Sequence, residues 1–225
     1  MARLSDNPSA SDEVAKQLRR EILNGDMQPG DRLREEDLSA RFQRSRYTIR
    51  AAIKILTDAR LLEHERNRGA IVPRLTRSRV DEVFGYRSAL ELGSLRIALQ
   101  HNADFSRAER AFDKMASLPP DVEWQELTEA HGRIHAEIVA ASANSRLISA
   151  HAGCLDELRL LIVVLRPNFA LDRFVELHRT MLDGLQVGGD TAFEALRIDL
   201  EGDGYRAILA ALHQQKVDAR DGWRD

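Results

Sequence analysis

The chain has 225 residues, 43% hydrophobic and 31% charged with a formal net charge of −3, enough for one or two domains with a real core. No apolar run approaches the roughly 18 residues that span a bilayer, and the opening MARLSDNPSASDE lacks the apolar centre of an export signal. Its single cysteine, Cys154, excludes an intramolecular disulfide framework and suits a reducing, cytoplasmic setting.

Residues 1–10 read as a flexible N-terminus. Over 11–25, Val14, Leu18, Ile22 and Leu23 share one helical face, and Gly25 follows as a stop signal. MQPGDRL is a turn carrying Pro29 and Gly30. EEDLSARF, 35–42, is a short helix, and Gln43-Arg44-Ser45 is a tight connection to a helix that Ser45 caps and that runs to about Arg60. LLEHERNRGAIVPRL holds two short strand-like runs with Gly69 at the bend, a hairpin signal. Three helices and a hairpin make a winged helix-turn-helix over 11–76. From Ser78 onward no convincing strand appears. Helical stretches break near His101–Ala103, Leu118–Asp121, Ala143–Asn144, Pro167–Asn168 and Gly188–Asp190. The expected class is therefore mostly α: the winged domain, an all-α bundle of about six helices over 78–215, and a flexible tail at 216–225.

The most informative stretch is SRYTIRAAIKIL, 45–56. Ile49, Ala52, Ile53 and Leu56 follow helical spacing and must pack inward. Arg46, Tyr47, Arg50 and Lys54 then gather on the other side. Guanidinium forks match guanine edges and phosphates, so such a face fits a major groove. Charge agrees: residues 1–77 carry 16 Lys+Arg against 12 Asp+Glu, leaving 17 against 24 of the chain's 33 and 36 for the remainder. A solvated basic face is the bland alternative, and the surrounding helix, turn and wing argue against it.

These pieces resemble the GntR family of bacterial transcription regulators: ILNGDMQPGDRL, EEDLSARF, SRYTIRAAI and, in the wing, NRGAIV. The resemblance implies DNA contacts from Arg46 and Arg50 and from Asn67, Arg68 and Gly69. Arg34, Ser45, Tyr47, Thr48 and Lys54 complete the candidate set. The sequence departs from the family at Gln43, where glycine is usual, at Arg44 and Ala51, and at Asp37, where some relatives carry a basic contact.

The back half resembles the FCD subgroup, through VDEVFGYRSALELGSLRIAL, HGRIHAEIVAASANSRL and VELHRTMLDGLQVGGD. That implies a homodimer that binds a palindromic duplex operator, a small organic acid as effector and, in many members, a divalent metal on one aspartate and three histidines. In this chain His131 and His135 border the apolar stripe of Leu127, Ile134 and Ile138. His178 lies on the stripe of Phe174, Met181 and Leu185, and Asp199 on that of Ala192, Ala195 and Leu196. This set suits zinc first, with nickel or another transition metal as alternatives. Glu201 and Asp203 compete with Asp199 for the fourth place, and separate hydrogen-bonded core histidines are the bland reading. His64, His101, His151 and His213 read as ordinary polar or partly buried residues, His151 near Cys154 being the best outside candidate. Arg87 matches the family arginine for an effector carboxylate; the alternative is a surface pair with Glu91. Asn144 reads as a helix cap.

The expected function is an effector-responsive transcription regulator, a repressor rather than an activator, and no enzyme. The rivals are a metal-dependent hydrolase, since HGRIH has the HxxxH spacing of zinc peptidases, and a DNA-binding protein with neither ligand nor metal. Against the hydrolase, Gly132 stands where the catalytic glutamate would be.

Overall fold

A computed structural model describes residues 9–66, 69–166 and 169–221, with Asp203 and 215–221 described by backbone alone. The chain forms two compact units that divide after Arg74.

The first unit starts with α1 (Ala10–Leu23), whose cap, Ser9, exchanges hydrogen bonds with Asp12 in a capping box. Val14, Leu18, Ile22 and Leu23 are buried, and α1 packs on α3. α2 (Glu35–Phe42) ends at Gln43, which takes a left-handed backbone with φ 52° and ψ 43°. α3 (Arg46–Asp58) is capped by Ser45, whose hydroxyl accepts the Thr48 amide. Ile49, Ala52 and Leu56 are fully buried and Ile53 nearly so. The helix stops at Asp58 rather than Arg60, because the Leu61 and Leu62 amides both turn back to the Leu56 carbonyl. The wing hairpin is β2 (Glu63–Glu65) with β3 (Gly69–Ile71). A third strand, β1 (Arg32–Leu33), lies within the segment expected to be only a turn. It pairs antiparallel with β3 in the order β1-β3-β2. The pairing buries Leu33, which the Pro-Gly signal beside it masked.

Helices are the only regular elements among the described residues of the second unit: α4 (Arg77–Gln100), α5 (Ser106–Ala116), α6 (Trp124–Ala140), α7 (Ser145–Ile162) with a 3-10 extension (Val163–Leu165), and α8 (Leu171–Val187). The last run is continuous: α9 (Gly189–Ile198), a π segment (Asp199–Asp203) and α10 (Gly204–Asp221). The bundle is thus six uninterrupted helical runs, the last containing the π segment. Asn144 caps α7 through its side-chain oxygen. Phe112, Met115, Leu95, Ile134 and Ile138 centre the core. Where α8 meets α9, a Cβ on Gly184 would collide with that of Ala195, so glycine sets their separation. No helix among the described residues is long and apolar enough to cross a membrane.

Candidate metal and nucleic-acid sites

α6 turns His131 and His135 inward on successive turns, and α8 turns His178 to meet them. The three rings are mutually edge-on, with centroids 4.7–5.2 Å apart. One nitrogen from each lies within 4.8 Å of the others, all buried. Asp199, the first residue of the π segment, reaches the same point: its two carboxylate oxygens lie 3.7 Å from His135 Nε2 and 3.7 Å from His178 Nε2. Of the competitors, Glu201 is exposed and pairs with Arg197 at 3.3 Å, while the Asp203 side chain lies outside the described residues.

Second contacts fix what these rings offer. His135 Nδ1 donates to Glu91 Oε2 at 2.9 Å, and His178 Nδ1 donates to the Phe174 carbonyl at 2.7 Å. Carboxylates and carbonyls only accept, so in each neutral ring Nε2 carries the lone pair. The two Nε2 atoms nevertheless stand 3.1 Å apart. His131 Nδ1 is buried without a hydrogen-bond partner among the described residues. Burial, then the neighbouring imidazoles, pushes His131 well below the usual histidine range, and burial pushes His178 down as well. Neutral nitrogens suit a cation as ligands. Donors around one ion at zinc–nitrogen distances lie about 3.3 Å from each other, near the separations seen here. The residues fit a divalent metal.

Glu91 was not singled out as a site residue, yet it organises the centre. It is fully buried and also accepts from Arg87 Nε at 2.7 Å and from His151 Nε2 at 3.0 Å. Burial opposes its ionisation, but Arg87, His135 and His151 outweigh that and hold the carboxyl well below its usual range. The surface-pair alternative for Arg87 and the reading of His151 as an ordinary polar residue need correction. Arg87 does pair with Glu91, but in the core rather than at the surface, with 4% of the residue exposed and Nη2 lacking a hydrogen-bond partner among the described residues. His151 is 1% exposed and belongs to the network through Glu91. A signal was available: Val80, Phe84, Arg87, Glu91, Leu95 and Ala98 form one apolar-spaced stripe on α4, with two charges inside it.

In the first unit, Arg34, Ser45, Arg46, Tyr47, Arg50 and Lys54 are exposed, Tyr47 by 85%, and Thr48 is half-buried against Ser45. Arg46, Arg50 and Lys54 pair with Glu36, Glu35 and Asp58. Arg34, Arg46 and Gly69 line a cavity of about 490 Å³ together with Arg32 and His64. Asn67 and Arg68 lie outside the described residues.

Two family models match the chain: "Bacterial regulatory proteins, gntR family" over residues 10–72 and the FCD domain over 82–201. The chain belongs to the GntR family. This GntR regulator with its FCD domain is similar to a GntR-type transcriptional regulator from Rhodococcus sp. RHA1, at 30% identity and TM-score 0.73, over 91% of this chain and 99% of that one. It is 27% identical over 180 residues to a probable D-xylose utilization operon repressor of Paenarthrobacter nicotinovorans, covering 78% of this chain and 80% of the relative. A gluconate operon repressor of Bacillus subtilis is 37% identical over 78 residues, 35% of this chain and 32% of the repressor. Such relatives are transcription regulators of the GntR family, not enzymes, which tells against the hydrolase alternative.

Proposed function

We propose that this GntR regulator is a metal-dependent sensor of a small organic acid in the bacterial cytoplasm. The segment 11–76 reads DNA and 78–215 senses and dimerises. As a homodimer it lays one α3 in each of two major grooves of a palindromic operator, the half-sites about one helical turn apart. Contacts come from Arg34, Ser45, Arg46, Tyr47, Thr48, Arg50 and Lys54 with the wing at Asn67, Arg68 and Gly69. Operon repressors among its relatives support repression, relieved by ligand.

His131, His135, His178 and Asp199 hold the ion, zinc foremost and nickel the alternative. When bound, the ion supplies a fixed positive charge and a coordination position for an oxygen ligand. Arg87 orients the effector's carboxylate through the terminal nitrogen that has no hydrogen-bond partner among the described residues. The effector shifts DNA binding only by as much as it prefers one of the regulator's two states.

The observation that carries this reading is the meeting of buried nitrogens from His131, His135 and His178 beside the Asp199 carboxylate, with His135 Nε2 and His178 Nε2 3.1 Å apart. A thermal-shift series on the intact protein tests it, with EDTA, zinc, nickel and cobalt, each repeated with a panel of small organic acids. A stabilising metal raises the melting midpoint, and a matching acid raises it further only in the presence of metal. Identical melting in all metals and in EDTA removes the metal from the function; absence of salt-sensitive duplex binding removes DNA.

A further inference from the structure

The two glutamates that open α2 treat the two arginines of α3 differently. Glu36 Oε1 accepts from Arg46 Nη2 at 2.9 Å, occupying a terminal nitrogen that would otherwise reach a base or phosphate. Glu35 Oε2 accepts from Arg50 Nε at 2.7 Å. This is the one partner of Arg50 among the described residues, so both of its terminal nitrogens are unengaged. A guanidinium anchored at Nε keeps the outer edge of its fork free, the edge that matches guanine O6 and N7. Glu35 is itself well held. It is the first residue of α2, where the helix dipole favours a carboxylate, and its side chain is 36% exposed against 75% for Glu36.

We propose that Glu35 is a positioning residue for sequence recognition, fixing Arg50 so that its terminal nitrogens meet a guanine edge as a ready-made fork, whereas Glu36 is a competitor that Arg46 must leave. This rests on the reading that α3 enters the major groove. A long arginine side chain loses rotamer freedom when it binds, and a partner that fixes it beforehand lowers that loss. Glu35 therefore acts in two opposite directions. Its charge repels any duplex through the phosphates. Its grip on Arg50 helps only where the fork meets a matching base. Removing the charge without changing the shape separates the two effects.

The test uses full-length Glu35→Gln and Glu36→Gln variants and two probes: the duplex that the wild-type protein enriches from a randomised pool, and a shuffled duplex of equal composition. Affinities are read by fluorescence anisotropy over a salt series. Glu36→Gln should tighten both probes by a similar factor. Glu35→Gln should tighten the shuffled probe but weaken the selected one by roughly three- to tenfold, the equivalent of one long side chain newly ordered on binding. In an Arg50→Ala background, Glu35→Gln should no longer reduce discrimination. The proposal is overturned if Glu35→Gln tightens both probes as Glu36→Gln does, changes neither, or reduces discrimination in the Arg50→Ala background as well. A wild-type protein that enriches no duplex would instead defeat the DNA-reading assignment itself.

Discussion

His135 and His178 confront each other across 3.1 Å with Nε2 facing Nε2, each ring's other nitrogen already committed to an acceptor. A cation held between these two nitrogens would be bonded by both rings. Asp199, with one oxygen 3.7 Å from each ring's Nε2, would give a cation there a carboxylate ligand.

Glu91 should set the strength of metal binding there. A carboxylate behind a ligand imidazole fixes its tautomer and raises its basicity. Glu91→Gln keeps the shape and should weaken zinc binding by about 10- to 100-fold in a chelator competition. In cobalt-loaded protein the visible absorption bands should also shift. A variant with wild-type affinity and an unchanged cobalt spectrum would reduce Glu91 to a packing role.

Arg87 should separate stability from sensing. Arg87→Ala leaves Glu91 buried without its guanidinium and should destabilise the bundle by about 3–5 kcal/mol, measured by denaturant unfolding. Arg87→Lys retains a charge for Glu91 but offers no planar fork, so it should fold better than the alanine variant while losing stabilisation by organic acids. A lysine variant that responds to acids as the wild type does would remove Arg87 from the effector site.

Gly184 should matter well beyond its size. A methyl group there meets Ala195, forcing α9 away from α8. Since α8 carries His178 and α9 leads into Asp199, Gly184→Ala should cost about 1–3 kcal/mol of stability. Because the same change parts Asp199 from His178, metal affinity should fall too. Undiminished metal binding in a destabilised Gly184→Ala protein would mean that Asp199 does not depend on this contact.

Cys154 should be inert while the protein is folded. Burial pushes its thiol up to about 11, and Sγ–H donates to the His151 carbonyl at 3.1 Å. Near pH 8 almost none is thiolate, so alkylation should be slow in buffer and rapid in denaturant. Rate in the native state should climb only as pH approaches that value. Equal rates with and without denaturant would contradict its burial.

The sequence disclosed whatever rests on periodicity. The inward faces of α1, α3, α6 and α8 follow from apolar spacing, and His131, His135 and His178 were legible because they fall on those faces. The wing was visible from Gly69 and the alternation around it. β1 was not, since Arg32 and Leu33 become a strand only when β3 lies beside them. Glu91 and His151 were missed for a related reason. Each is a polar residue whose role depends on which helix packs opposite, information that no single helix contains. Asp199 fell within a turn of uncertainty because the π segment that begins there breaks the 3.6-residue count.

Gln43 has a practical consequence for anyone handling this molecule. Its left-handed backbone, tolerated at about 1 kcal/mol in a residue with a side chain, closes the turn that seats α3 behind α2. The DNA-binding half therefore carries a small unused margin of thermal resistance, recoverable in principle by a one-residue exchange of Gln43 to glycine.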